Sequence, residues 1–439
     1  MKNTPVEYNT VKSIIENSGI ADPGKASIRE LVKLVNQIES AGNVKFVRME
    51  MGVPGLPAPA IGIDAEIAAL RNGVASLYPS IEGIAPLKEE ASRFIKLFLD
   101  LDINPQGCVP TVGSMMGSMA SFLVANRNDS TKEGTLFLDP GFPVHKQQVK
   151  MIGHDYHAFD IADFRGSKLR GKLESILQCG KISSILYSNP NNPSWMCLTE
   201  DELSVIGELS LRYGVIVIED LAYFGMDFRK DYSTPGLAPF QPTVGRYTDD
   251  YIILISSSKA FSYAGQRIGM MAISDHLYDR QYPDLVRYYS SPGFGHSIVY
   301  GALYGLSAGV AHSVQHGLAA ILKAVNDGTY KFVDETREYG ERARIMKQLF
   351  LENSFKLVYD TDLDEPVADG FYFTVCYPGM TSSELLKELL YYGISAISLN
   401  ITGSSRKDGL RACVAQVHPN QFGDLENRLR QFQNDHPLN

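Results

Sequence analysis

The sequence has little of three features that mark other classes of protein. Its 5 cysteines form no Cys-x-x-Cys pair and do not cluster with histidine, which disfavours a disulfide framework and a zinc site. Its apolar runs are far too short to span a bilayer. Lysine and arginine total 41 against 50 aspartates and glutamates, a net charge of −9, which argues against a nucleic-acid groove. We therefore expect no metal, no nucleic acid and no membrane as partners.

The first residues also lack a signal for export. Residues 1–19 contain neither a long apolar run nor a small-residue cleavage site, so a cytoplasmic location with free thiols is the expectation. His145, His154 and His157 lie close together in the sequence, but their spacing suits no metal motif. We expect these three histidines to be structural.

The chain is longer than one hydrophobic core supports, so its 439 residues predict two domains. Between about residues 110 and 275, short apolar runs alternate with helical patterns, as in strands buried on both faces of a mostly parallel sheet. Between two runs, Thr199 and Glu202 have capping-box spacing ahead of an apolar stripe, which completes a βαβ unit and predicts an α/β domain. The runs are Thr135–Leu138, Ile182–Tyr187, Val215–Glu219, Tyr251–Ile255 and Ile268–Ile273.

The two ends of the chain predict a second, smaller α+β domain. One long helical pattern covers residues 320–353, and a helix is predicted at Ile28–Ile38. The Gly- and Pro-rich loop at 51–60 marks the crossing into the large domain. We therefore assign residues 1–57 and 316–439 to the small domain and residues 58–315 to the large one. Further elements are predicted at Gly370–Cys376, Ser382–Tyr391 and Leu410–Val417.

Three polar features follow predicted strands of the large domain. They are the turn Asn189–Pro193, Asp220 and Lys259. Because ligands in open parallel sheets bind beyond the carboxyl ends of the strands, the three could surround one ligand. Each also has a plainer interpretation: a turn former, a helix N-cap and a solvated surface lysine.

A series of motifs resembles class I and II aminotransferases, which depend on pyridoxal phosphate. The segment SSSKAFSYAGQRIG at residues 256–269 resembles their cofactor-lysine signature, with Arg267 eight residues after Lys259. The resemblance covers roughly residues 50–417 and implies the fold type I architecture, a large domain whose mostly parallel sheet is sandwiched by helices, plus a smaller α+β domain. The other similar segments are YPSIEGIAPLKE, VGSMMGS, DPGFP, SNPNNPSW, EDLAY and GLRACV.

The resemblance implies a role for each matched residue at the reacting end of the cofactor. Lys259 would hold the cofactor as a Schiff base and then move the substrate Cα proton. Asp220 would keep the pyridine nitrogen protonated, while Asn192 and Tyr223 would donate hydrogen bonds to the phenolic oxygen. Arg411 would pair with the substrate carboxylate, although an ordinary ion pair is its plainer interpretation.

The resemblance also implies a phosphate site, a stacking ring and a second subunit. Phe142 would stack on the cofactor ring, and Val53 and Pro54 would lie, with Asn192, on the substrate side. Tyr78 would reach the site of the other subunit, which implies a homodimer with shared active sites. The phosphate would be bound by Gly113, Ser114 and Met115 at a helix N-terminus, and by Ser256 and Arg267.

Three departures from the family pattern bear on the substrate. Ser194–Trp195 replaces the usual Thr-Gly, and Ser398–Lys407 replaces a Pro-Gly and Phe-Gly turn. Val286, beside Arg287, stands where aspartate aminotransferases bring a second arginine from the partner subunit. We predict an aminotransferase for a neutral amino acid. A β-eliminating lyase resembling cystathionine β-lyase and an aspartate-specific aminotransferase are the alternatives; a regulator with a fused helix-turn-helix domain is disfavoured, because the segment before residue 50 is short.

Overall fold

The computed structural model describes residues 4–132 and 134–438. No helix in these two ranges is long and apolar enough to cross a membrane. The helices, in chain order, are α1 Tyr8–Asn17, α2 Ile28–Gly42, α3 Ala60–Arg71, α4 Ala85–Leu99, α5 Gly113–Ala125, α6 Pro143–Met151, α7 Lys168–Leu177, α8 Glu200–Tyr213, α9 Ser257–Ala260, α10 Asp275–Asp279, α11 Val286–Tyr289, α12 Phe294–His296, α13 Tyr304–Ser307, α14 His312–Asn326, α15 Phe332–Glu352, α16 Ser382–Tyr391 and α17 Phe422–Asp435.

A seven-stranded sheet forms the centre of the molecule, in the order β2-β8-β7-β6-β5-β3-β4. Strands β7, β6, β5, β3 and β4 pair in parallel, whereas β8 is antiparallel to both neighbours. The predicted mostly parallel α/β sheet is confirmed. The strands are β1 Val47–Arg48, β2 Cys108–Thr111, β3 Gly134–Asp139, β4 Asp155–Asp160, β5 Ile182–Ser188, β6 Ile216–Leu221, β7 Tyr251–Ser256, β8 Gly269–Ile273, β9 Lys356–Leu357, β10 Thr361–Asp362, β11 Glu365–Pro366, β12 Tyr372–Cys376, β13 Ile394–Ser395, β14 Ile397–Ser398 and β15 Gly409–Cys413.

Side chains of this sheet alternate between two hydrophobic cores, one on each face. In β6, Val217 belongs to one core and Ile218 to the other, since successive side chains of a strand point in opposite directions. Helix α8 packs into the first core through Leu203 and Ile206, and α5 packs into the second through Phe122. Helices therefore cover both faces, which explains the continuous apolar runs in the sequence.

Strand β6 extends further than the sequence predicted. Its main chain pairs with β5 at Ser188 and with β7 at Leu254, both opposite Asp220. Asp220 is therefore a residue of the strand, and the helix N-cap interpretation is wrong. Its side chain accepts a hydrogen bond from the Ala222 backbone N–H at 3.1 Å, which begins the turn after the strand.

The long helical pattern at 320–353 is two helices rather than one. Helix α14 ends at Asn326, and Gly328 follows with φ +71°, a conformation that ends a helix. Helix α15 begins at Phe332. The break lets α14 pack against α3 and α4 beside the central sheet, while α15 packs against β12 and α17. Periodicity alone missed the break because the apolar pattern runs through it.

The N-terminal and C-terminal segments form the α+β part together. Strands β14, β15, β12 and β9 form an antiparallel sheet, and β1 pairs in parallel with β13. The ring of Tyr8 stacks on that of Tyr391 at 4.6 Å, and the Val6 N–H donates to the Tyr391 carbonyl. The division into domains at residues 57/58 and 315/316 stays a prediction.

Candidate active site

A cavity of about 320 Å³ lies at the carboxyl ends of β5, β6 and β7, between the central sheet and the α+β part. Most of the residues that the sequence singled out lie on its wall, although they come from segments far apart in the chain. Those on the wall are Val53, Ser114, Met115, Phe142, Asn192, Asp220, Tyr223, Ser256, Lys259, Arg267 and Arg411.

Three singled-out residues lie off the wall. Gly113 has φ +67°, and a Cβ there would lie 2.7 Å from Nη2 of Arg267, so a glycine lets the arginine approach the start of α5. The carbonyl of Pro54 accepts a hydrogen bond from Gln416 at 2.8 Å. The side chain of Tyr78 is 97% exposed and contributes nothing to the cavity of its own chain.

The wall also holds residues that sequence reasoning left without a role. His145 is one: it follows Phe142 by three residues on the first turn of α6, and that spacing places both side chains on one face. The sequence offered one signal for this position: His145 follows the end of β3 closely and stands three residues after Phe142. Tyr372 is another, and nothing near it in sequence marks it, because it reaches the cavity from β12. The others are Ile28, Met51, Gly52, Ser188, Ala222 and Ser258.

The buried carboxyl group of Asp220 has His145 as a neighbour. Burial raises the pKa of Asp220 to about 7, and Lys259 opposes that shift. The Nε2 atom of His145 lies 3.9 Å from Oδ2 of Asp220, and burial lowers the pKa of His145 to about 4. The imidazole is therefore neutral near pH 7. Burial disfavours the ionised form of Asp220, and a cationic group of a ligand beside it would stabilise that form.

Lys259 lies in the short helix α9, directly after β7. Burial, aided by the charges of Arg267 and Arg411, lowers the pKa of its amine to about 8. A larger fraction of this amine is therefore unprotonated near neutral pH than of an ordinary lysine. An unprotonated amine can attack a carbonyl group or accept a proton.

One end of the cavity has the features of an anion site. Helix α5 begins there, and no side chain caps its first backbone N–H groups. Ser256 accepts a hydrogen bond from the Ser258 N–H at 3.2 Å, which leaves its own hydroxyl proton available. Arg267 donates to the Ala264 carbonyl through Nη1 only. These donors converge where a phosphate would be bound.

Arg411 lies at the other end, in β15, and only 2% of it is exposed. Its Nη2 donates to the Glu50 carbonyl at 2.7 Å, and its Nη1 to Oδ1 of Asn192 at 3.4 Å. Within residues 4–132 and 134–438, its Nε has no hydrogen-bond partner and no carboxylate pairs with it. A buried guanidinium without a counter-ion is costly, so an anionic ligand fits it. The ion-pair interpretation of Arg411 is therefore wrong for the described chain.

The loop at Ser398–Lys407, which replaces the family turn, is docked onto the large sheet. The Thr402 carbonyl accepts from Gly141, next to Phe142, at 2.8 Å, and the Ser405 N–H donates to Asp160 at 2.8 Å. Arg406 forms an ion pair with Asp163 at 2.7 Å. The loop therefore fixes the segment that carries Phe142.

Lys259, the buried carboxylate of Asp220 and Arg411, for which the described residues provide no counter-ion, line one cavity, a combination that fits an enzyme acting on amino groups. The profile of the family "Aminotransferase class I and II" matches residues 52–429. The chain belongs to this family, and by class it is a pyridoxal-phosphate-dependent aminotransferase.

Similar proteins include several aminotransferases. The chain is 24% identical over 340 residues to the probable aspartate aminotransferase of Methanocaldococcus jannaschii. The alignment covers 73% of this chain and 86% of that relative. It is 26% identical over 246 residues to the LL-diaminopimelate aminotransferase of Natranaerobius thermophilus, over 55% of this chain and 61% of that relative.

Solved structures show the same fold. The aspartate aminotransferase of Thermotoga maritima has a TM-score of 0.74 at 17% identity, over 94% of this chain and 98% of that one. The alanine aminotransferase of Pyrococcus furiosus has a TM-score of 0.75 at 17% identity, over 96% and 99%. At such identities the likeness shows the fold alone, so the fold type I architecture is confirmed and the substrate is not addressed.

We expect Asp220→Asn to change how stability depends on pH. In the folded state burial raises the pKa of the Asp220 carboxyl to about 7 from its ordinary value of 3.8, so the wild-type carboxyl favours folding at pH values below its unfolded pKa. That contribution is lost as pH rises towards 7, at about 1.4 kcal/mol per unit. Thermal unfolding of the ligand-free protein should show the variant gaining stability over wild type between pH 5 and pH 7. The exposed Asp201→Asn is the control, and parallel profiles for all three proteins would contradict the burial argument.

Proposed function

We propose that the chain transfers an amino group between a neutral amino acid and a 2-oxo acid, with pyridoxal phosphate held on Lys259. One observation carries the proposal. Lys259, Asp220 and the unpaired Arg411 converge on a single cavity, which gives an amine, a carboxylate and a cation at three sides of one ligand. Each group matches a different part of a cofactor-bound amino acid.

The residues present fit pyridoxal phosphate. The uncapped start of α5, Ser256 and Arg267 offer donors for the phosphate, as described above. Asp220 offers a carboxylate to a protonated pyridine nitrogen. Burial makes the charge of this carboxylate unfavourable on its own, so a cation beside it would be stabilising. Phe142 lies on the same wall, where its ring could stack on the cofactor. The fit thus rests on donors and acceptors that keep hydrogen-bonding capacity for a ligand beyond their bonds within the described chain.

When bound, pyridoxal phosphate supplies an electron sink for the pair released from the substrate Cα–H bond. The chain's own groups do the rest. Arg411 binds the α-carboxylate and sets the orientation of Cα. Lys259 accepts the proton from Cα and returns it one step later at a different atom. Asn192 would donate a hydrogen bond to the phenolic oxygen, and so would Tyr223 once its hydroxyl, which donates to that of Tyr372 at 2.9 Å, turns towards the cofactor. Asp220 would hold the proton on the ring nitrogen.

The supply of cations around the cavity favours a substrate with one carboxylate. The lysines and arginines on the wall are Lys259, Arg267 and Arg411, and each already has a role. Val286 and Arg287 do not line the cavity of their own chain, and Arg287 lies over the ring of Tyr288 at 5.4 Å. A second carboxylate would lose water without gaining a counter-ion from its own chain, and Val286 at the position of the partner's arginine would provide none either. Ile28, Met51 and Val53 instead offer apolar surface.

We also propose a homodimer. Exposed apolar side chains continue from α3 into the segment that follows, where Leu77 is 60% exposed. This segment lies against the start of α14, because the Leu77 carbonyl contacts Nδ1 of His312 at 3.3 Å. A second copy of the chain would bury these side chains and bring Tyr78 to the partner's phosphate site. The α3 members of the patch are Ile61, Ile63, Ile67 and Leu70.

We expect borohydride reduction to fix the cofactor to Lys259. The protein loaded with pyridoxal phosphate should absorb visible light, lose that band on reduction, and yield one labelled peptide that contains Lys259. The lowered pKa of this amine and its place on the cavity wall favour its attack on the cofactor aldehyde. The Lys259→Ala variant should give no such label and no turnover. A label on another lysine in wild type would sink the assignment.

We expect kcat/KM to be higher for a neutral amino acid than for aspartate. Kinetics with alanine, leucine, phenylalanine, aspartate and glutamate, following both 2-oxo acid and ammonia, would measure the preference. An aspartate advantage of about tenfold, or 1.4 kcal/mol, would show that the cation count is wrong. Because β-elimination needs a leaving group on Cβ, cystathionine is added as a further substrate. Its cleavage with water to pyruvate, ammonia and homocysteine, in place of amino transfer, would identify the eliminating lyase instead.

We expect the protein to have twice the 48.5 kDa mass of one chain in light scattering. Ile67→Asp should shift it towards the single chain, because a carboxylate would be buried without a partner in the interface. Leu211→Asp is the matched control, since Leu211 is also an exposed apolar residue, 53% accessible, but lies on α8. Wild type at 48.5 kDa under these conditions would rule out the dimer.

A further inference from the structure

Trp195 occupies a backbone conformation that large side chains avoid. Its φ is +63°, in the left-handed region, at the position where the family motif carries glycine. The residue ends the turn that contains Asn192. A conformation of this kind persists only when surrounding packing holds it, and such positions concentrate at functional sites.

The indole fits into a space that exists because residue 370 is a glycine. Trp195 is fully buried, and a Cβ on Gly370 would lie 2.1 Å from Nε1 and Cε2 of the indole. Among the described residues Nε1 has no hydrogen-bond partner. The indole is thus held by packing and not by a hydrogen bond. It packs against Gly370, which lies two residues before the start of β12.

The indole lies behind the cavity wall, where it packs against two of the residues that form the wall. It packs edge-on against Tyr223 at 5.2 Å and against Tyr372 at 6.0 Å. The two tyrosine hydroxyls hydrogen-bond to each other at 2.9 Å, and both tyrosines line the cavity. The Tyr372 ring in turn lies under the Arg411 guanidinium at 4.5 Å. One indole therefore supports groups at two parts of the site.

We propose that Trp195 is a positioning residue that fixes the Tyr223–Tyr372 pair. This rests on the proposed function, because it assigns Tyr223 to the cofactor and Arg411 to the substrate carboxylate. Movement of the indole displaces the Tyr223 hydroxyl from the phenolic oxygen and removes the aromatic face beneath Arg411. Displacements near 1 Å at reacting groups cost up to about a hundredfold in rate.

The sharpest perturbation is Gly370→Ala, which adds one methyl group against the indole. Its matched control is Gly171→Ala in α7, where a Cβ would meet no atom within 4 Å. Trp195 is the only tryptophan of the chain, so intrinsic fluorescence reports the indole's environment directly. We expect Gly370→Ala, and not Gly171→Ala, to shift the emission of the ligand-free protein.

In the loaded enzyme, we expect Gly370→Ala to lower kcat/KM at least about tenfold and to shift the pH midpoint of the cofactor's visible band. Adding Trp195→Phe to that variant should restore much of both, because the smaller ring makes room for the methyl group. Should Gly370→Ala not fold, Trp195→Phe alone must still move the midpoint and lower kcat/KM.

The proposal would be overturned if the folded variants kept the pH midpoint of the visible band and kcat/KM and lost only thermal stability. Trp195 would then contribute to core packing alone. A wild-type protein that binds no pyridoxal phosphate would instead refute the proposed function. The two failures are distinguishable, because the emission of the ligand-free protein needs no cofactor.

Discussion

The register of three parallel strands is the constraint on which the site depends. Ser188 of β5 stands opposite Asp220 of β6, which stands opposite Leu254 of β7, just before Lys259. Backbone hydrogen bonds buried between two apolar cores hold this register, and a slip of one residue would turn Asp220 towards the opposite face. The sheet therefore fixes Asp220 and the end of β7, and the short helix α9, which follows β7 directly, positions Lys259.

The same burial that fixes the sheet also determines its electrostatics. Strand ends covered by helices exclude water, which raises the pKa of Asp220 to about 7 and lowers that of Lys259 to about 8. Both shifts oppose the charged forms. A ligand that brings a cation to Asp220, a carbonyl to Lys259 and an anion to Arg411 offsets all three costs together, so ligand binding and stability are linked in this cavity.

The sequence predicted the central strands and the convergence of Asn192, Asp220 and Lys259, because strand ends of a parallel sheet must meet at one edge. It did not predict Tyr372, which reaches the cavity from an antiparallel strand about 150 residues after Tyr223 in the chain. That contact is tertiary and leaves no local pattern. The break between α14 and α15 was missed for the opposite reason, since a local pattern continued where the main chain did not.

Two of the three departures from the family pattern, Trp195 and the loop at Ser398–Lys407, act on one cavity from different sides. The loop at Ser398–Lys407 holds the segment that carries Phe142 through the main-chain hydrogen bond from Gly141 to Thr402. Trp195 packs behind the cavity wall against Tyr223 and Tyr372. At Trp195 tertiary packing replaces the glycine of the family turn, whereas the loop at Ser398–Lys407 keeps a glycine, Gly403, with φ +83°. Packing can hold a left-handed tryptophan only while Gly370 leaves space for it. The tryptophan and the glycine therefore constrain each other, so a change at either position acts on the tyrosine pair.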